Sequence, residues 1–237
     1  MSRLNFEALA TAFAVTFSVG LITRIAPGRW HTSLVGVVFL AAVWCLVWRH
    51  DDEHVRRAGL ALGGLVIPGE LRPWELARNL SRALSFAGLL ALVVAVPFFF
   101  LWRWWWTDSG SSLSLLRALR PFAAGNEVMG QVFVIALPEE AFYRGYLQSR
   151  LDEVWGTRFE CGRARVGPAL FISAAIFAVG HVVTVNSPAR LAVFFPAILF
   201  GWLRARTGGI GASVFFHAFC NLYSEALGSA YGVYSLG

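Results

Sequence analysis

Stretches of about twenty predominantly apolar residues recur along this chain, and a stretch of that length crosses the hydrocarbon of a bilayer as a helix. No other feature narrows the fold as much. Of the 237 residues 57% are hydrophobic and 14% are charged, against roughly 25% charged in a soluble domain. The expectation is an all-α, polytopic helical membrane protein with about seven transmembrane helices, forming one integral membrane domain over 1–237. The spans fall at 6–25, 30–48, 84–105, 127–147, 168–185, 191–203 and 210–231. Only Arg3 precedes the first span and no small-residue cleavage site follows it, so it reads as a retained helix and not a signal peptide. Tryptophans sit where interfacial anchors belong: Trp30 and Trp48 bracket the second span, and Trp102, Trp104, Trp105 and Trp106 close the third.

Two connectors are rich in arginine, at 49–82 and at 150–165. Within the first, the segment 58–67 is apolar but too short to cross, and Gly63, Gly64 and Pro68 break it. It reads as an interfacial or partly re-entrant piece. The segment 107–125 reads as a polar loop with a short helical stretch at 113–119. All 20 basic residues are arginine. With the N-terminus cytoplasmic, 14 arginines lie inside and six (Arg24, Arg29, Arg103, Arg117, Arg120, Arg190) outside. The positive-inside rule then sets the N-terminus in the cytoplasm and the C-terminus on the far side. The net charge of +6 is spread through these loops, which is a topology signal and excludes a nucleic-acid footprint. Cys45, Cys161 and Cys220 are odd in number and widely spaced, so they suggest neither a disulfide framework nor a thiolate metal site.

The fourth span breaks the apolar pattern. Val132-Phe133-Val134-Ile135-Ala136-Leu137 runs straight into Pro138-Glu139-Glu140 and on to Arg144. A charge deep in hydrocarbon costs roughly 2.5 kcal/mol or more, so such groups face a bundle interior or a watery cavity. On a helix Glu140 and Arg144 stand at i, i+4 and can pair, whereas Glu139 points about 100° away. Two other spans bring polar groups to depth. The fifth has Phe177 and His181; the seventh has His217 and Asn221 one turn apart on a shared face. His31, His50 and His54 lie at interfaces or in a connector, and Glu225, a turn beyond Asn221, has no partner in these patterns. Taken singly, a membrane histidine or asparagine often only cross-links helices, for about 0.6 kcal/mol, and Glu140–Arg144 reads as an internal salt bridge. Glu139 has no such ordinary explanation.

Glu-Glu-x-x-x-Arg, Phe-x-x-x-His and His-x-x-x-Asn, in that order on three spans, resemble the CPBP family, the CAAX-prenyl-protease and bacteriocin-processing (Abi-type) intramembrane glutamic endopeptidases. The resemblance covers 127–231. It implies peptide-bond hydrolysis, with Glu139 and His181 activating a water and His217 and Asn221 stabilising the oxyanion. Glu140 and Arg144 would support them, and Phe177 would wall the cavity. It implies no cofactor and no metal. The chemistry suits these groups: amide hydrolysis needs a base for water and donors for the developing negative oxygen. A carboxylate taken out of water is the stronger base.

His181 lies late in its span and Glu139 near the middle of its own, so the two meet only if the fifth helix is longer or tilted. The partners implied are the lipid bilayer and a membrane-associated protein or peptide, with no nucleic acid. The substrate is a prenylated CAAX-like end, a leader peptide or, as the favoured expectation, a C-terminal sorting tail of the myxosortase kind in a bacterial cytoplasmic membrane. A proton-coupled carrier would also bury Glu, Arg and His, but no internal repeat is present. A non-catalytic scaffold or immunity protein of the same family is the other alternative. A two-His-one-Glu metalloprotease is disfavoured because the spacing is not HExxH and the histidines occupy separate spans.

Overall fold

The structure, a computed structural model, describes residues 3–233 apart from 68, 70, 107–112 and 124. Seven long helices make up the bundle: α1 (Arg3–Ile25), α2 (Gly28–Trp48), α3 (Pro73–Trp106), α4 (125–155), α5 (Pro168–Val185), α6 (Pro188–Thr207) and α7 (Gly211–Tyr231). Five of them, α1, α2, α3, α5 and α6, are long and apolar enough to cross a membrane. The other two, α4 and α7, are made less apolar by the very residues singled out above. Side chains such as Phe17, Leu92, Val93 and Phe195 point outward and are exposed, as expected where lipid replaces water around the bundle. The architecture is all-α and membrane-integral.

Helix α4 is the hub: α2 follows it through its middle, α7 packs on its first half, and α5, α1 and α6 pack on its second half. It is not a uniform α-helix. Two wider π segments, Gly130–Ala136 and Ala141–Gln148, flank Leu137–Glu140. Pro138 has no N–H to give to a helical ladder, and the wider turn ahead of it accommodates this: the Leu137 N–H bonds Val132 O, five residues back. Such π turns concentrate at functional positions.

Several boundaries differ from the sequence-based expectation. Helix α3 starts at Pro73, so Arg78 and Arg82 belong to its first turns and not to the connector. Helix α6 spans Pro188–Thr207 and is longer than 191–203. The helical stretch at 113–119 is two short helices, Leu115–Ala118 and Arg120–Ala123; the rest of that loop at 107–112 and 124 lies outside the described residues. Trp102 is buried against Tyr231, ring centroids 5.9 Å apart, and does not face the interface. The second connector contains a hairpin that the sequence pattern does not announce. Strands β1 (Phe159–Cys161) and β2 (Ala164–Val166) pair antiparallel across Gly162 and Arg163, whose φ angles are both positive, as a tight primed turn requires.

The apolar segment 58–67 is neither a crossing nor a lipid-facing piece: Ala58, Leu60 and Ile67 are buried against the bundle end. Its predicted breakers Gly63 and Gly64 have positive φ; Pro68 lies outside the described residues. Trp48 Nε1 donates to Leu60 O at 3.2 Å, which turns an expected interfacial anchor into a clamp on this connector. Leu60 sits over Gly145, where an added Cβ would come within 2.6 Å of the leucine side chain. Overpacking of a closed core costs about 1–3 kcal/mol. Gly145→Val is therefore expected to lower the melting temperature in detergent, and Leu60→Ala in the same chain to restore part of the loss. A Gly145→Val protein that melts like the parent would show that the connector is not seated there.

Candidate active site

The polar residues of α4, α5 and α7 meet inside the bundle. Glu140, fully buried, sits at the centre. Its Oε1 accepts from Arg144 NH1 at 3.1 Å and from His217 Nδ1 at 2.9 Å. A carboxylate only accepts, so the His217 proton on that side is on Nδ1. Arg144, also buried, donates through NH2 to Ala197 O at 3.1 Å. Its guanidinium lies over the Phe177 ring at 4.5 Å and the Phe200 ring at 5.1 Å. One ion pair thus ties α4 to α5, α6 and α7. The His217 ring stacks on Phe200, centroids 4.7 Å apart and planes within 12°, which fixes the imidazole from the face as Glu140 fixes it from the edge.

Glu139 is placed differently. Its Oε2 is buried without a hydrogen-bond partner among the described residues. The nearest cation-forming group is His217 Nε2 at 3.8 Å, beyond hydrogen-bond length. The carboxylate faces a cavity of about 450 Å³ between α1, α2, α4 and α5, and His181 lines the same cavity. His181 Nδ1 bonds Phe177 O at 3.0 Å. A carbonyl cannot donate, so Nδ1 carries the proton of that bond and Nε2 is left for other partners.

The two groups come level without any lengthening of α5. Helix α4 instead runs on to Trp155, well past its expected end, and Ser173 Oγ donates to Tyr143 O at 2.9 Å. That bond sets Tyr143 against the first third of α5, and Glu139, one turn earlier on α4, shares a cavity with His181 farther along α5.

Phe177 does not line this cavity. It is buried behind it, between Arg144, His181 (centroids 4.4 Å) and His217 (5.8 Å). His217 and Asn221 do share a helix face, yet neither lines the cavity either. Asn221 Nδ2 donates to Gln131 Oε1 at 2.9 Å. Gln131 is a site residue that the motifs do not contain, although an amide eight residues ahead of Glu139 in an apolar run is a visible signal. The cavity walls contributed by Thr16, Phe39 and His31 have no such signal, since nothing local ties them to the motifs.

Residues 123–223 match the family model described as type II CAAX prenyl endopeptidase Rce1-like. The matched segment runs from just before α4 into α7 and contains Glu139, Glu140, Arg144, Phe177, His181, His217 and Asn221; α1, α2, α3 and Glu225 lie outside it. No curated protein and no solved structure matches the chain.

Proposed function

From residues 123–223, which belong to the Rce1-like family of type II CAAX prenyl endopeptidases, we propose that this chain is an intramembrane endopeptidase whose base is Glu139. The observation that carries this reading is that Glu139, outside the Glu140–Arg144 ion pair, lines the same cavity as His181. A water held in the cavity between the Glu139 carboxylate and His181 loses a proton to Glu139 as its oxygen attacks the scissile carbonyl carbon. The carbonyl oxygen becomes an oxyanion, the charge that the resemblance assigns to His217 and Asn221; both stand outside the cavity lining, with His217 Nε2 3.8 Å from Glu139 Oε2. The proton then passes to the leaving nitrogen as the C–N bond breaks, giving a carboxylate and an amine for one water consumed. Glu140 and Arg144 act on this chemistry only by holding His217 and the helix crossing in place. The match to a hydrolytic family over 123–223 favours this reading over a carrier.

The substrate is a peptide bond in a membrane-associated protein, and a C-terminal tail is the form we favour. Purified protein in detergent should release fragments from a panel of apolar tail peptides, and the Glu139→Gln protein should release none. No cleavage of any peptide by well-folded parent protein would count against the proposal. The groups assigned to water activation are the chain's own, so cleavage is expected to survive EDTA. Activity lost to the chelator and restored by zinc, with about one zinc per chain in the active protein, would assign the water to a metal instead.

A further inference from the structure

The cavity runs from the middle of the bundle toward one end, and that end carries information about the substrate. Its deep end is at Glu139 and Tyr143, near the middle of α4. From there it is lined by Thr23 near the end of α1, His31 and Thr32 in the first turn of the α2 α-helix, and Thr184 and Val185 in the last turn of α5. The chain reverses direction between α1 and α2 and again between α5 and α6, so all these residues gather at one end of the bundle. Hydroxyls and an imidazole line that end, suited to a hydrated route. Toward the other end the bundle is closed: Ala8, Ala12, Val43, Val47, Leu147 and Leu151 on α1, α2 and α4 are each no more than 1% exposed.

The closed end is also the arginine-rich one. It carries the connector after α2, with the buried segment at Leu60, and the hairpin after α4. With Arg144 buried in the bundle, the remaining arginines divide 13 to six in favour of this end, which marks it as cytoplasmic. The cavity therefore faces away from the cytoplasm.

Resting on the protease reading above, we propose that the catalytic cavity opens on the non-cytoplasmic face and takes its peptide from there: a segment already translocated across the membrane, not a cytosolic C-terminus. Helices α1 and α2, outside the family match, supply much of the wall of this entrance.

The chain contains its own reporter for the closed end, because Cys161 in β1 is exposed. In a protein with Cys45 and Cys220 changed to alanine, Thr32→Cys adds a thiol at the mouth, where Thr32 is exposed. A charged, membrane-impermeant maleimide applied to sealed right-side-out vesicles is expected to label the thiol at 32, and to label Cys161 only after the vesicles are opened. Thr184→Cys repeats the measurement should the first variant fold poorly. A mouth thiol that reacts only from the side on which Cys161 reacts would overturn the proposal. Labelling does not depend on cleavage, so it is read equally well in the Glu139→Gln background. Any tail peptide cut in detergent should then be cut when added outside right-side-out vesicles and spared outside inverted ones. The reverse pattern overturns the inference while leaving the protease assignment standing, and failure of cleavage in detergent does the opposite.

Discussion

Glu139→Gln is expected to abolish cleavage and to leave a protein that is as abundant and as thermostable in detergent as the parent. The amide is isosteric, and the Oε2 position it occupies makes no hydrogen bond that the substitution would break. The pair contact it touches, to His217 Nε2, is already long at 3.8 Å. What would disappear is the lone pair proposed to take a proton from water, and general-base catalysis of this kind contributes about 10²–10⁴-fold. The measurement is cleavage normalised to folded protein, alongside melting of the same sample. A Gln variant that keeps a tenth or more of parental activity would remove Glu139 from the role of base.

Glu140→Gln and Arg144→Ala should fail in the opposite way, in stability before chemistry. Each leaves a buried charge without its partner, at a cost of about 3–5 kcal/mol. Both side chains are essentially fully buried, with exposures of 0% and 1%, so solvent screening does not soften the loss. Arg144→Ala also frees Ala197 O and empties the space over the Phe177 and Phe200 rings. Glu140→Gln releases His217 Nδ1 from its carboxylate. Lower yield and a lower melting temperature are expected for both, with lost activity following the loss of folded protein at least in part. A Glu140→Gln protein that folds fully and is inactive, beside an active Glu139→Gln, would reverse the two assignments.

The division between the two carboxylates is legible in the amino-acid sequence because it is a local matter. Helical periodicity puts residues four apart on one face, so Glu140 and Arg144 can be paired by counting, and neighbouring Glu139 can be set apart from them. The same holds for the long apolar helices and for the shared face of His217 and Asn221. Runs of apolar residues likewise announce that a helix is long enough to cross, but not where it ends in polar surroundings, which is why α3, α4 and α6 each outrun their expected limits. The hairpin at Phe159–Val166 stays hidden because its six paired residues are too few to show an alternating pattern, and its turn places an arginine, not a second glycine, at positive φ.

The meeting of the site depends on something no single helix contains, namely how each is rotated and how far each slides along its neighbour. The apolar run 132–137 and the motif after it determined that charges would lie within a bundle, and which of them would be satisfied within α4 itself. Only the tertiary structure decided that Glu140 would also hold a histidine 77 residues away, and that Asn221 would bond Gln131. It decided too that Phe177 would back Arg144 and not the cavity, and that α1 and α2 would wall the space before Glu139. The physical reason is that local periodicity sets which side chains share a face of a helix. What that face meets is set by close packing between helices, where contacts such as Ser173 with Tyr143 and Leu60 with Gly145 fix the register.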